Sequence, residues 1–364
     1  MKKVLQYVPS YNYGGIESFT YELNKQLKDV CKFVYLVEKD VDGKTAKKLH
    51  ELGAEVVRIP NMTKESFWGY ISAVRRLFKV ERFDAVHVHD CNNRFLVTLT
   101  AKMHGVKCRV YHVHSKDIGG SAISKLVKRI GIRLNVWLST IRLVCSEEAA
   151  NAKGVRKYKI VKNCITAEDF RFDEKKRNAV RKEHGLNQDD IVLLFIGRVE
   201  KVKNVGFLLK VLKNLPEEKR QQYVLIVIGD GSELSSIKQI AKGIDGCRII
   251  FAGRKYNTAD YYSASDYFCL PSLAEGFPIT LLEAQANGLS CLVSTNVPNV
   301  VNLNKRVRFL SINDVGAKDW VNVLLKHDEI PKKERSKGVN LIKELKYDSL
   351  STAEEVGRFY GALE

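Results

Sequence analysis

Apolar and polar positions alternate along the chain in a regular rhythm. Short runs rich in β-branched and aromatic residues, "KVLQYV", "FVYLVE", "EVVRIP", "AVHVHD", "RVYHVH" and "IRLVCS", each give way to a more polar, helix-patterned stretch. A strand followed by a helix and another strand, repeated, predicts βαβ units and a parallel sheet. A charge-dense interval, "TAEDFRFDEKKRNAVRKEHGLNQDD", interrupts the rhythm. It then restarts with "IVLLFIGRVE", "YVLIVIGDG", "CRIIFAG", "DYFCLPS" and "SCLVST". Two α/β domains are therefore expected, with the boundary at residues 165 and 166. In open parallel sheets ligands bind outside the carboxyl ends of the strands, so two such sheets facing each other would line a cleft with strand-end loops.

Length agrees with this division, because 364 residues suffice for two cores without disulfide or metal staples. The 45% hydrophobic and 28% charged content is that of a globular protein, and no apolar run approaches the roughly 20 residues needed to span a bilayer. "MKKVLQYVPS" lacks the long hydrophobic region of a secretory signal, which predicts a cytoplasmic location. The eight cysteines form no CxxC pair and several sit in strand-like runs, as buried reduced thiols would. A net charge of +18 predicts attraction to polyanions: nucleic acid, an anionic membrane face or phosphate-bearing small molecules.

Candidate chemistry gathers at the predicted strand ends. Gly14 and Gly15 follow the first strand and lead straight into a helical pattern, as an anion-binding turn or a plain tight turn would. They are not the GxGxxG of a dinucleotide fold, which weakens an NAD reading. His87, His89, His112 and His114 alternate in two strands, so each pair shares a face. A metal site with Asp90 as a further ligand, a structural role and a substrate-facing role are the three readings, and no HExxH or cysteine ligand favours the first. Along "SAISKLVKRIGIRLNVW" a helical wheel puts Ile123, Leu126, Val127, Ile130, Leu134 and Trp137 on one side. Lys125, Lys128, Arg129 and Arg133 fall on the other, together with Ile132 and Val136. Such a helix either packs its apolar side on the sheet and solvates its basic side, or meets an anionic membrane or acceptor.

In the second half, "FIGRVEKVKN" offers Arg198 and Lys203 across a short loop, a plausible diphosphate clamp if they are not merely solvated charge. "VIGDGSEL" adds Gly229 and Gly231 at the next strand end. "SLAEGFPITLLEAQANG" reads as loop and helix, with Pro278 in the first turn and Gly288 ending it. Free backbone N–H groups near Ile279 and Thr280 would face an anion, Glu275 would sit beside it, and Glu283 could accept from vicinal hydroxyls. The plain alternative makes these glutamates N-terminal helix charge, but a carboxylate inside "ITLLEAQA" is costly to bury without a role.

Together, "GG", "GRVEKVKN", "IGDGSEL" and "EGFPITLLEAQANG" resemble the family 4 retaining glycosyltransferases, whose EX7E motif matches Glu275 and Glu283. The resemblance covers essentially the whole chain; it departs at "KNCITAEDF", where Cys164 stands in place of the family's usual glycine. It implies the GT-B fold, with an acceptor-side Rossmann-like domain over 1–165, a donor-side domain over 166–349, and a last helix over 350–364 crossing back to the first. It further implies that Arg198 and Lys203 bind the donor diphosphate, Glu283 the ribose, and Glu275 the neighbourhood of the transferred sugar. Backbone N–H groups of Gly276, Phe277, Ile279 and Thr280 would hold sugar and phosphates. Gly15 would approach the phosphates, Arg254 would begin the base-binding loop, and His114, with His112 as second choice, would face the sugar.

The reaction implied is retaining transfer from a nucleotide-diphosphate sugar to a glycan or lipid-linked acceptor, with no metal and no other cofactor. The setting implied is surface polysaccharide synthesis on the inner face of the plasma membrane, with peripheral contact to anionic lipid. Competing readings are a sugar-nucleotide epimerase of the same fold, which should lack the EX7E helix, and a basic nucleic-acid-binding protein, for which no RNA or DNA module signature is present.

Overall fold

In a computed structural model the chain divides into two compact units, Met1–Ile165 with Asp348–Glu364, and Thr166–Tyr347. The structure describes every residue except 12–13, 64–65, 91–93, 116–120, 256, 300–301 and 305, and the side chain at 122. Cys91 lies outside the described residues, and the other seven cysteines are unpaired.

The first unit runs β1 (Lys2–Tyr7), α1 (Gly15–Leu27), β2 (Cys31–Val37), α2 (Gly43–Glu51), β3 (Glu55–Arg58), α3 (Phe67–Val80), β4 (Ala85–His89), α4 (Leu96–Met103), β5 (Cys108–Val113), α5 (Ala122–Leu138), β6 (Ile141–Val144), α6 (Glu147–Lys153) and β7 (Lys159–Ile160). Its strands form one parallel sheet in the order β3-β2-β1-β4-β5-β6-β7. Parallel crossovers cover both faces of a sheet, and these strands are correspondingly apolar on both sides. Leu5, Val34, Val86 and Val144 pack under Val74 of α3, Val97 of α4 and Ile132 of α5. Val4, Phe33, Ala85 and Val110 pack on the opposite face under Phe19 and Leu23 of α1.

The second unit runs α7 (Glu174–Glu183), β8 (Ile191–Ile196), α8 (Val205–Lys213), β9 (Tyr223–Ile228), α9 (Leu234–Ala241), β10 (Arg248–Gly253), α10 (Thr258–Ala264), β11 (Tyr267–Leu270), α11 (Ile279–Ala286), β12 (Ser290–Ser294), β13 (Val307–Leu310), α12 (Asp314–Leu325), α13 (Lys332–Arg335) and α14 (Gly338–Glu344). Its sheet is also parallel, in the order β10-β9-β8-β11-β12-β13. The last helix, α15 (Ser349–Phe359), returns to the first unit, where Val356 and Tyr360 join the α1 face; it ends five residues before the expected 364. Two strands escaped the sequence reading, β7 and β13. Both are short edge strands, β7 with two exposed residues and β13 with exposed Arg308, as sheet edges tend to be.

Both sheets share one topology: three strands added in one direction, then a return to the far side of the first. The direction reverses between β1 and β4 and again between β8 and β11, and such switch points open a crevice at the strand carboxyl ends. The helix that follows β11 is fixed from behind. Gly288, just past its end, takes φ +73°, and a Cβ there would lie 2.3 Å from the Arg335 carbonyl oxygen. The buried Arg335 guanidinium donates to the Tyr262 and Ser265 carbonyls, each at 2.9 Å, joining the end of α10 to the end of α11. Replacing Gly288 by alanine adds left-handed strain to a backbone clash. It should destabilise the second unit by about 3 kcal/mol, measured by urea unfolding.

Candidate active site

At the β8/β11 switch point two strand-end loops are joined by hydrogen bonds. Leu273 N–H donates to the Val202 carbonyl at 2.8 Å, and the Asn204 side-chain amide donates to the Pro271 carbonyl at 3.2 Å. Asn204 holds φ +54°, a conformation asparagine tolerates better than most residues, and so turns Lys203 out of a short 3₁₀ segment, Lys201–Lys203. Lys203 Nζ then lies 2.6 Å from Glu275 Oε1, and the Ser272 hydroxyl donates to the same oxygen at 2.6 Å. The pair is largely buried, with side chains 20% and 10% exposed, while Arg198 on the same loop is exposed.

Gly229 and Gly231 are required by contact between loops. A Cβ at Gly229 would lie 1.9 Å from the Gly197 carbonyl oxygen, and one at Gly231 would lie 2.4 Å from that of Val199. The N–H groups of Gly197 and Val199 meanwhile donate to the carbonyls of Ile228 and Asp230, so the two loops lie backbone to backbone. Arg254, after β10, is exposed and 3.8 Å from Asp230.

Helix α11 begins at Ile279, one residue beyond Pro278, which brings no capping side chain to its first turn. Backbone N–H groups at such an end attract anions. Gly276 is exposed with open space where a side chain would stand, Phe277 stacks on Tyr347 at 5.5 Å, Ile279 is buried and Thr280 half-buried. One turn into the helix, Glu283 accepts from the Tyr262 hydroxyl at 2.7 Å. Burial, and then the Glu283 charge, raise the Tyr262 phenol well above its ordinary range, so it stays a donor. The two glutamates therefore answer to different partners, Glu275 to a cation and Glu283 to a phenol, and do not form an acid/base dyad. Tyr262 was missed in the sequence, where "ADYYSASDY" gives no sign that the second tyrosine reaches a residue twenty-one positions on.

In the first unit Gly15 is exposed and opens α1, with the extended Gly14 before it offering no side-chain cap. The four histidines, three in β4 and β5 and His114 just past β5, are all buried and lie on the α1 face beneath Phe19. The Tyr360 hydroxyl lies 2.5 Å from His87 Nδ1, and His87 Nε2 lies 3.2 Å from His112 Nδ1. In parallel, Gln6 Oε1 lies 2.6 Å from His89 Nε2, and His89 Nδ1 lies 2.9 Å from His114 Nε2. Because the Gln6 amide nitrogen donates to Tyr360, its oxygen must accept from His89; His89 Nδ1 is then bare and accepts the His114 Nε2 proton. His114 is thereby held in one tautomer.

Ring nitrogens of His87, His89 and His112 fall within 4.8 Å of one another, so among the described residues these three, without Asp90, are the possible ligand set. A metal there would displace the His87–His112 hydrogen bond. Asp90 faces elsewhere: at φ +45° it accepts from the Ser115 hydroxyl at 2.8 Å and pairs with the buried Lys153. This strained turn at the β4 carboxyl end is a further polar centre, which the sequence suggested only as a metal ligand.

On helix α5 the apolar side of the wheel is not the packed one. Its packed side is Gly131, Ile132, Asn135 and Leu138, with Thr98 of α4 donating to Asn135 at 2.7 Å, while Ile123, Leu126, Val127, Ile130 and Trp137 are exposed. Small and amide residues let α5 lie close to α4, and that contact overrides the apolar stripe.

Residues 14–162 match the glycosyl transferase 4-like domain, and residues 176–314 match glycosyl transferases group 1. The chain belongs to the group 1 glycosyltransferases. This glycosyltransferase is 29% identical over 266 residues to an Escherichia coli enzyme, UDP-Gal:alpha-D-GlcNAc-diphosphoundecaprenol alpha-1,3-galactosyltransferase, covering 69% of this chain and 68% of that one. It is 23% identical over 342 residues to the Staphylococcus aureus capsular polysaccharide biosynthesis glycosyltransferase CapH, covering 90% of each. Its fold is that of Anabaena HepE, solved with UDP-glucose, at a TM-score of 0.77, 17% identity and full coverage of both chains. The GT-B architecture expected from the motifs is thus present.

Burial first, then the neighbouring rings, hold His87, His89 and His112 well below the usual histidine range; burial likewise lowers His114 to about 4. The unfolded chain takes up protons near pH 6.5 while the fold resists them. Stability should therefore be complete above about pH 6.5 and fall toward pH 4, by up to about 1.4 kcal/mol per pH unit for each ring. Urea unfolding followed across that range checks this, and His89→Gln should make the slope shallower.

Proposed function

We propose that this glycosyltransferase moves a sugar from a nucleotide-diphosphate donor, with retention at the anomeric carbon, to a glycan or lipid-linked acceptor in surface polysaccharide synthesis at the cytoplasmic face of a membrane. The observation that carries the reading is the Lys203–Glu275 pair, set across the β8/β11 switch point beside the uncapped first turn of α11. The named substrate of the Escherichia coli relative, a diphosphoundecaprenol-linked sugar, and the capsular role of CapH support this choice of acceptor.

In this reading Arg198, Lys203 and the N–H groups of Gly276, Phe277, Ile279 and Thr280 surround the diphosphate and sugar. They stabilise the negative charge that develops as the diphosphate leaves, a task for fixed cations and a helix N-terminus that needs no metal. Glu283, oriented by Tyr262, accepts from the ribose hydroxyls, and Arg254 meets the base. Gly229 and Gly231 serve by holding the phosphate loop in place. Glu275 orients the sugar; one of its oxygens is already taken by Lys203 and Ser272, which argues against attack on the anomeric carbon. Gly15 is the first unit's phosphate contact and His114 its sugar contact, the latter as a neutral hydrogen-bonding ring.

A thermal-shift screen of nucleoside diphosphates and their sugars identifies the donor, since a ligand at a hundred times its Kd adds about 2.7 kcal/mol. With that donor, Lys203→Ala, Glu283→Ala and the exposed Arg198→Ala should each reduce nucleoside diphosphate release by about a hundredfold or more, with melting temperature little changed for Arg198→Ala. A chelator should leave turnover unaltered. Wild-type rates in the three variants would remove the assignment.

A further inference from the structure

Half of the exposed large hydrophobic side chains among the described residues lie on three adjacent helices of the first unit, α3, α4 and α5. The densest group is on α5, where Ile123 is 78%, Leu126 60%, Val127 53% and Ile130 50% exposed. At 100° per residue these four, with Trp137, span about 100° of the helix surface. The next sector carries Lys125, Arg129 and Arg133, all exposed. The remaining side, through Gly131, Ile132 and Asn135, is the one that packs on the unit. An ordinary surface helix buries its apolar stripe; this one buries small and amide positions and leaves the stripe outside, edged along its length by cations.

Two further features extend the pattern. Trp137 lies at the far end of α5 with the Lys102 ammonium of α4 4.2 Å over its ring, and Phe67 with Trp68 opens α3. Because α3 and α5 each follow a parallel strand, both begin at the carboxyl edge of the sheet, so Trp68 and Ile123 stand at the same edge. Indole rings and long cationic side chains beside an aliphatic strip suit the boundary between headgroups and acyl chains, where one part of the surface is apolar and the next is anionic. A protein-binding core would instead be depleted of charge.

We propose that the outer face of α5 docks on the anionic surface of a lipid bilayer, with Ile123, Leu126, Val127 and Ile130 entering the interface and Arg129 and Arg133 meeting lipid phosphates. This deepens the reading of a membrane-face acceptor, and its vesicle-binding readout is independent of that reading because it uses neither donor nor acceptor. The full chain is floated with vesicles of phosphatidylcholine carrying about one-third phosphatidylglycerol, and with vesicles of phosphatidylcholine alone.

The wild type should bind the anionic vesicles only, less so as salt rises. The double variant Leu126→Asp/Ile130→Asp should lose at least about tenfold in partition. Arg129→Gln/Arg133→Gln should lose about fivefold per cation and become less sensitive to salt. Tryptophan emission should shift to the blue on binding, and Trp137→Phe should reduce the shift. Since every substituted residue is exposed, melting temperature and the nucleotide-induced thermal shift should be unchanged in all variants, which separates a folding or donor-site failure from a docking one. Absence of vesicle binding, equal binding by the Leu126→Asp/Ile130→Asp variant, or a concentration-dependent dimer that this variant dissolves would each overturn the proposal.

Discussion

Every strand in both sheets runs in the same direction as its neighbours, and most of what this glycosyltransferase can do follows from that constraint. Parallel strands deliver all their outgoing loops to one edge, so backbone segments distant in sequence crowd together there. The crowding explains why residues without a Cβ stand at 229 and 231, against the carbonyls of Gly197 and Val199. It explains why Asp90 and Asn204 accept left-handed backbone angles. It also sets Lys203 against Glu275: the ammonium and the carboxylate come from loops after adjacent strands, β8 and β11, whose order in the chain is separated by two more βα units.

The site regions of the two units answer the cost of buried polarity differently, although the first unit also keeps a buried ion pair, Lys153 with Asp90. In the second, charges are kept and paired: Lys203 with Glu275, and Arg335 with a fan of carbonyls at helix ends. In the first, the layer between β1, β4 and β5 is kept neutral, each imidazole passing a hydrogen bond to the next so that no ring needs a counterion. In the proposed reading, a paired-charge site suits a diphosphate, which would arrive as an anion and meet cations already in place. A neutral ladder suits the recognition of hydroxyl groups, which need a fixed pattern of donors and acceptors.

Much of this was readable in the sequence because the signals were local. The βαβ rhythm located eleven of the thirteen strands among the described residues, and the charged interval after residue 165 marked the passage between units. The burial cost of a carboxylate inside "ITLLEAQA" singled out Glu283, and the resemblance to the EX7E motif joined Glu275 to it. What stayed hidden depended on partners far along the chain. Tyr262 holds Glu283, Tyr360 reaches His87 and Arg335 braces Gly288, and no spacing rule joins these positions. The helical wheel of α5 sorted apolar from basic residues correctly, yet could not say which side would be packed. That was decided by Gly131 and by the Thr98–Asn135 hydrogen bond.

Tyr360, near the end of the chain, supplies the hydroxyl that His87 and Gln6 share at the centre of the first sheet. That hydroxyl is synthesised after the whole of the second unit, which lies between it and the strands it serves. The second unit, a single uninterrupted stretch, has all of its residues available earlier. The first unit is therefore completed only after the second, and until then its histidine layer is a nascent core short of one partner.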